Sequence, residues 1–350
     1  MKSRYLIVRL GSLGDVVHAI PAAAALRRAR GDAAIDWLVD PKYVELLQMV
    51  GGLDRIIPLD PRAGARDLLS TIGALRRARY EAVLDLQGLL KSAVLARAAG
   101  AHRTIGLPRA HLREPLAALL YGETPDPGRH PHVIHKGLAL MRSVGVVDDR
   151  IAFPLNVPST PAADVVAAYA GAGGYVLLNP GAAWPNKQWP PDRFGALAAA
   201  MRERFAVTSV VLFGPGEESL GLSVAAASRG AAVPAPPTTI TDIAAIAKSA
   251  RLMVSGDTGP LHIAAAVGTP IVALFGPTRT ERNGPWAPSD LMISRFDRCQ
   301  CHYERQCRRE TPCIDDIHID EVMTAVERRV APASPERGSD LSSHGGGARG

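Results

Sequence analysis

Cysteine is scarce in this 350-residue chain: there are four, all between Cys299 and Cys313. A set so confined excludes the disulfide framework of a secreted fold, whose bridges must staple distant segments. Aromatics are also few, at 5%, although hydrophobic content reaches 47%. No uninterrupted run of about 20 apolar residues is available to span a bilayer. Met1-Lys2-Ser3-Arg4 leads straight into an apolar, β-rich run instead of a signal-peptide core, so a cytoplasmic location is expected. The first strand-to-helix turn has neither GxGxxG nor a P-loop lysine, which leaves dinucleotide and P-loop binding unsupported.

What is present is a regular alternation of strand and helix patterns on a length that suits two domains. Strands are expected at 5–10, 35–39, 55–59 and 82–86, with helices at 43–50, 67–79, 89–99 and 136–144. After a proline-rich crossing at 151–161, strands follow at 175–179, 209–213, 252–255 and 271–275, with a helix to Phe205 capped by Asp192 and another at 241–250. These divide the chain into residues 1–155, residues 160–330 and a Gly-rich tail, 331–350, that should be disordered. The charge is unevenly placed. Residues 1–150 hold 22 Lys and Arg against 15 Asp and Glu, and residues 151–350 hold 18 against 19. A basic first half suits an anionic substrate, a membrane surface or nucleic acid, although solvated helix faces supply part of such an excess.

The chain is organised around residues 252–277, LMVSGDTGPLHIAAAVGTPIVALFGP, one strand-turn-helix-strand unit. Its turn brings helix N–H groups and the positive end of a helix dipole to the carboxyl edge of a parallel sheet, where a diphosphate would bind. Asp257 or Thr258 can cap the helix or hold a sugar hydroxyl, Gly259 admits a close backbone approach, and His262 shares the helical face of Thr258. A plain cap beside a buried histidine is the alternative; the convergence of Asp, Thr, Gly and His on a ligand-facing edge favours a site. Three further strand ends carry polar residues. Asp15 opens the first helix with His18 three residues on, where it could equally serve only the helix dipole. Lys187, between Trp184 and Trp189 in a proline-rich loop, is placed to neutralise a departing diphosphate. Glu217 and Glu218 follow the strand at 209–213, and one of them can be dipole compensation. Cys299, Cys301, Cys307 and Cys313 read as reduced structural thiols, with a zinc site, a labile disulfide or an iron–sulfur site as alternatives.

The run SGDTGPLH at 255–262, followed by Gly268-Thr269-Pro270 and Phe275-Gly276-Pro277-Thr278, resembles the ADP-heptose-binding signature of glycosyltransferase family 9, the lipopolysaccharide heptosyltransferases. The runs DLQGLLKS at 85–92 and REPLA at 113–117 are similar to the heptosyltransferase I branch. This resemblance implies a GT-B architecture, two Rossmann-like doubly wound domains facing across a cleft, with a terminal helix that crosses back to the first domain. It implies inverting transfer of heptose from ADP-heptose to the Kdo of lipid A. Asp15 would be the general base and Lys187 the phosphate ligand, with Glu217, Asp257, Thr258, Gly259 and His262 on the donor. Arg62, Arg66, Lys91 and Arg113 are the candidates for the anionic acceptor at the inner membrane surface. No cofactor is required by this scheme, no nucleic acid is expected, and the protein would be peripheral on the cytoplasmic face. The rivals are a nucleotide-sugar epimerase on the same fold and a basic, zinc-containing nucleic-acid-binding protein.

Overall fold

The computed structural model describes residues 2–60, 62–129, 132–171 and 173–330; the tail expected at 331–350 lies outside them. The first domain runs β1 (Arg4–Val8), α1 (Leu13–Ala29), β2 (Ala34–Val39), α2 (Val44–Gln48), β3 (Arg55–Pro58), α3 (Ala65–Ala78), β4 (Ala82–Asp85), α4 (Leu90–Ala98), β5 (Arg103–Ile105) and α5 (Val133–Met141). The second runs α6 (Pro161–Ala170), β6 (Tyr175–Asn179), α7 (Pro191–Phe205), β7 (Thr208–Val211), α8 (Glu218–Ala227), β8 (Ala232–Pro234), α9 (Ile240–Ser249), β9 (Leu252–Gly256), α10 (Gly259–Ala266), β10 (Ile271–Phe275), α11 (Thr280–Asn283), β11 (Leu291–Ser294) and α12 (Ile319–Val330).

Each domain is built on a parallel sheet, in the order β3-β2-β1-β4-β5 in the first and β11-β10-β9-β6-β7-β8 in the second. The central strands β2, β4, β6, β9 and β10 are buried along their whole length, which is why they read as continuous apolar runs instead of alternating ones. The one carboxylate inside β2, Asp36, is satisfied there by Arg4 at 3.0 Å, Arg55 at 2.6 Å and the Tyr80 hydroxyl at 2.7 Å. In both sheets the strand order reverses at a central pair, β1/β4 in one domain and β6/β9 in the other. Loops leaving the carboxyl ends of such a pair diverge to opposite faces and open a crevice, the ligand position of doubly wound sheets.

Several expected elements shift for local reasons. Asp192 lies inside the first turn of α7 and Pro190 occupies the cap position, because Pro191 fits the first helical residue, where no N–H is needed. The expected helix at 43–50 is a 3-10 turn, Pro41–Tyr43, followed by the shorter α2. The terminal helix α12 does not cross back to the first domain: Val322, Ala325 and Val326 are buried in the second-domain core with Leu197, Met201 and Leu274. The crossing segment instead touches the first domain through a bridge between Leu155 and Val50.

The domains meet closely. Ala244 and Ile263 of the second domain lie in the same buried cluster as Val17, Ile20 and Trp37 of the first, and Phe153 stacks on Trp286 with ring centroids 4.4 Å apart. Glu45 accepts hydrogen bonds from the N–H groups of Ile240 at 3.3 Å and Thr241 at 2.8 Å, so a first-domain side chain caps the second domain's α9. The two switch points therefore face each other across one cleft.

Candidate active site

On the first-domain side, Ser12 precedes α1 and Asp15 sits in its first turn. The Asp15 Oδ2 atom accepts from the Ser12 backbone N–H at 3.2 Å and from the Ser12 hydroxyl at 3.1 Å, and Oδ1 is paired with Arg9 at 2.6 Å. Burial acts to raise the Asp15 carboxyl, but Arg9, Arg282 and the Ser12 bonds outweigh it and hold the group below its usual range. Arg9 also donates to the Leu86 carbonyl, so one guanidinium ties the β1 loop to the β4 loop. Asp85, which opens the DLQGLLKS run, is fully buried and shapes the turn after β4 by accepting from Gln87 N–H at 2.9 Å, Gly88 N–H at 3.1 Å, Ser92 at 2.8 Å and Tyr121 at 2.7 Å. Its work leaves Gln87, not Asp85, on the cleft wall.

The second-domain side is organised by Asp257. Its Oδ2 accepts from Lys187 Nζ at 2.5 Å and from the Thr278 hydroxyl at 2.7 Å; Oδ1 accepts from Asn283 Nδ2 at 2.8 Å and lies 3.3 Å from His262 Nε2. Although burial opposes its charge, the hydrogen bond from His262 and the nearby Lys187 cation keep Asp257 ionised far below the usual carboxylate range. Lys187 is held over the Trp184 ring, 4.6 Å from its centroid. Thr258 occupies the cap position of α10, yet its hydroxyl makes no cap bond; it lies 3.1 Å from Asn179 Nδ2, which also reaches Ser255 at 3.0 Å. The first turn of α10 thus has no side-chain cap, which leaves its N–H groups available to an anion. The two glutamates differ in setting. Glu218 is exposed in the first turn of α8, whereas Glu217 turns inward, accepts from Gly214 N–H at 3.0 Å and lies where a side chain on Gly181 would collide with it at 2.1 Å.

His262 bridges the halves. Its ring lies against α1, so close that a Cβ on Gly14 would meet it at 2.4 Å, and it stacks edge-on with His18 at 4.4 Å. Burial, together with the neighbouring His262 and His132 rings, pushes the His18 imidazole well below its usual value, so it is neutral at pH 7. His132 accepts from Ile134 N–H with Nδ1 and donates from Nε2 to the Gly284 carbonyl at 2.9 Å, a further contact across the domains.

Between the halves is a cleft of about 190 Å³ lined by Arg9, Asp15, His18, Gln87, His111, Arg113, Lys136 and, from the second domain, Arg282. Asp15 is the acidic member of a predominantly basic wall. Of the four basic residues expected at the acceptor, Arg113 lines this cleft; Arg62, Arg66 and Lys91 are exposed outside its lining. Arg9, His111, Lys136 and Arg282 were not anticipated. Lys136 was visible only as part of a helix pattern, and Arg282 lies in α11, a single short turn too brief for a sequence pattern to place.

The four cysteines are all reduced, with Cys301 Sγ 3.5 Å from Cys299 and 3.4 Å from Cys307. Among the described residues, no group of three or more His, Cys, Asp or Glu is arranged to hold a metal ion. The segment that carries them packs on the Lys187 loop: Asn186 donates to the Glu304 carbonyl at 2.9 Å and lies 3.8 Å from Cys301 Sγ.

The model of glycosyltransferase family 9 (heptosyltransferase) matches residues 68–312, well over half of the chain. The chain belongs to this family. Over 93% of its length it is 30% identical to lipopolysaccharide heptosyltransferase 1 of Pseudomonas aeruginosa, of which it covers 97%. Two solved structures share the fold. A glycosyl transferase family 9 protein from Veillonella parvula aligns with a TM-score of 0.82 at 20% identity, covering 94% of this chain and 98% of that one. E. coli heptosyltransferase WaaC with ADP aligns with a TM-score of 0.75 at 22% identity, covering 93% and 99%. The protein is therefore a glycosyltransferase of GT-B architecture, and its two facing switch points are the two sides of a transferase cleft.

Proposed function

We propose that this glycosyltransferase moves heptose from ADP-heptose to the Kdo of lipid A, with inversion at the anomeric carbon, in lipopolysaccharide inner-core synthesis. One observation carries the reading: an ionised carboxylate, Asp15, stands in a basic cleft opposite a helix N-terminus and lysine suited to a diphosphate. A carboxylate accepts at about four positions, and Arg9 and the two Ser12 groups occupy three on Asp15. The remaining position suits an acceptor hydroxyl. As that oxygen attacks the anomeric carbon, its proton passes to Asp15 and the bond to the diphosphate breaks on the opposite face. Negative charge then develops on the diphosphate oxygen, where the α10 N–H groups and Lys187 stabilise it. Asp257 holds Lys187 in place, and Glu217 is assigned to the ribose of the donor. Arg113, Lys136 and His111 fit the carboxylate of an acidic sugar. The acceptor is lipid-linked, and we place the enzyme peripherally on the cytoplasmic face of the inner membrane; no helix among the described residues is long and apolar enough to cross a bilayer.

Mass spectrometry of purified protein mixed with ADP-heptose, with and without Kdo-lipid A and with or without EDTA, tests the reading. A heptose increment on the lipid that survives EDTA is expected. An altered nucleotide sugar in the reaction lacking acceptor would point to the epimerase instead. Asp15→Asn should lower kcat by about 10²- to 10⁴-fold while ADP affinity stays within twofold; near-wild-type turnover would remove Asp15 from the mechanism.

A further inference from the structure

The first domain exposes apolar side chains in an arrangement that the transfer reaction does not use. Leu90 is 42% exposed and Val94, one turn further along α4, is 49% exposed. Leu116 and Leu119, one turn apart in the 3-10 segment Pro115–Leu120, are 61% and 80% exposed. The two segments are joined: Glu114 accepts from Leu90 N–H at 2.7 Å, and Ala93 and Ala117 share a small buried cluster beneath them. Helix α3 packs beside α4; its Leu75 is buried and Leu68 and Ala78 pack partly on the same core, while Leu69 stands exposed. The inner face of α3 is covered by its own domain, and Leu69 is the side chain that this helix adds to the exposed apolar set. Basic residues surround this face, with Arg62 and Arg66 exposed at the start of α3 and Arg113 beside Glu114 at the mouth of the cleft.

We propose that α3, the start of α4 and the segment Pro115–Leu120 form a docking surface for an anionic phospholipid bilayer. The chemistry is that of an interfacial surface: leucines enter the acyl boundary while arginines meet lipid phosphates at a charged membrane. A protein partner would gain little from arginines ringing the leucines unless it were also acidic, and the bilayer supplies both features over the whole patch. The position has a consequence for catalysis. Arg113 belongs to both the patch and the cleft, so docking sets the cleft mouth against the layer that holds a lipid-linked acceptor. That consequence rests on the proposed function; the docking itself does not.

Vesicle flotation separates the two. Vesicles of phosphatidylcholine alone and of phosphatidylcholine with a quarter phosphatidylglycerol, neither containing acceptor, are mixed with the full chain at low and high salt. Binding to the anionic vesicles that weakens with salt is expected. Leu116→Ser with Leu119→Ser should lower the partition about tenfold, and Arg62→Ala with Arg66→Ala should remove the preference for anionic lipid. The control Leu222→Ser, an equally exposed leucine on the second domain, should leave both unchanged. Turnover on a water-soluble, deacylated Kdo acceptor should be unaffected by the Leu116/Leu119 pair, and turnover on vesicle-embedded acceptor should fall. Failure of the wild-type protein to float, equal loss in Leu222→Ser, or full binding by the Leu116/Leu119 pair would each overturn the surface. Vesicle binding without any heptose transfer would sink the proposed function and leave the surface standing.

Discussion

Arg9 and Asp15 show how one residue sets the working range of another. The 2.6 Å ion pair is largely withdrawn from solvent, and its importance is to keep the carboxylate ionised against that burial. Because the folded-state value is depressed, the base stays competent as pH falls until that low value is reached. Arg9→Met should move the acid limb of the kcat/KM profile upward by about one pH unit, and an unmoved limb would mean that Ser12 and Arg282 suffice. Arg282 itself follows from the Asp257 hub. Thr278 and Asn283, which flank it, are both bonded to Asp257, so a second-domain anchor carries a cation into the cleft lined by the first domain. Its guanidinium has no hydrogen-bond or ion-pair partner among the described residues. Arg282→Ala should raise the acceptor KM about tenfold with ADP affinity unchanged, whereas a parallel loss of ADP affinity would assign it to the donor.

At the scale of elements, the contact between α1 and α10 is the joint on which the site depends. Gly14 lets α1 approach His262, and His262 is held in turn by Asp257, so a side chain at position 14 presses on the Asp257 cluster from the first domain. Gly14→Ala should cost about 1–3 kcal/mol as overpacking and lower kcat. A thermal melt and steady-state kinetics check both, and an unchanged kcat would show that the joint yields without disturbing Asp257. The carboxyl-edge loops were legible at this scale before any coordinates. Asp15, Lys187 and the Asp257–His262 turn each follow an apolar run that ends in a polar turn; Asp15 lines the cleft, while Lys187 and the Asp257–His262 turn lie outside its lining and meet the first domain where His262 packs on α1. Asp85 has the same signature and points inward, because Tyr121 and Ser92, remote in sequence, supply its hydrogen bonds. Arg62 and Arg66 look like Arg113 in sequence, and only folding separates the cleft from the outer face.

For the whole molecule, the packed interface couples closure to protons. His18 and His132 are held neutral chiefly by burial, below their ordinary value, while in the unfolded chain they titrate near pH 6.5. Protons therefore bind the unfolded chain preferentially, and stability is full above about pH 6.5 and declines as pH falls below it. Melting temperature should drop between pH 7 and pH 5.5, with a smaller drop in His18→Phe; an equal drop would place the acid sensitivity elsewhere. Glu45 acts in a lower window. Burial raises its carboxyl, but bonds from Thr239, Thr241 and Ile240 outweigh this and depress it, so its cap on α9 is lost only below the usual glutamate range.

The sequence by itself determined the two parallel sheets, because buried strands must be continuously apolar and the turns between them must be polar and permissive. It also marked the residues of the donor turn, since a helix start at a strand end is a local pattern. Tertiary structure alone decided which polar groups face the cleft, which glutamate turns inward and which arginines remain outside. Those outcomes depend on partners far away in the chain, Tyr121 for Asp85, Asn179 for Thr258 and Gly14 for His262. No local pattern encodes where such partners arrive.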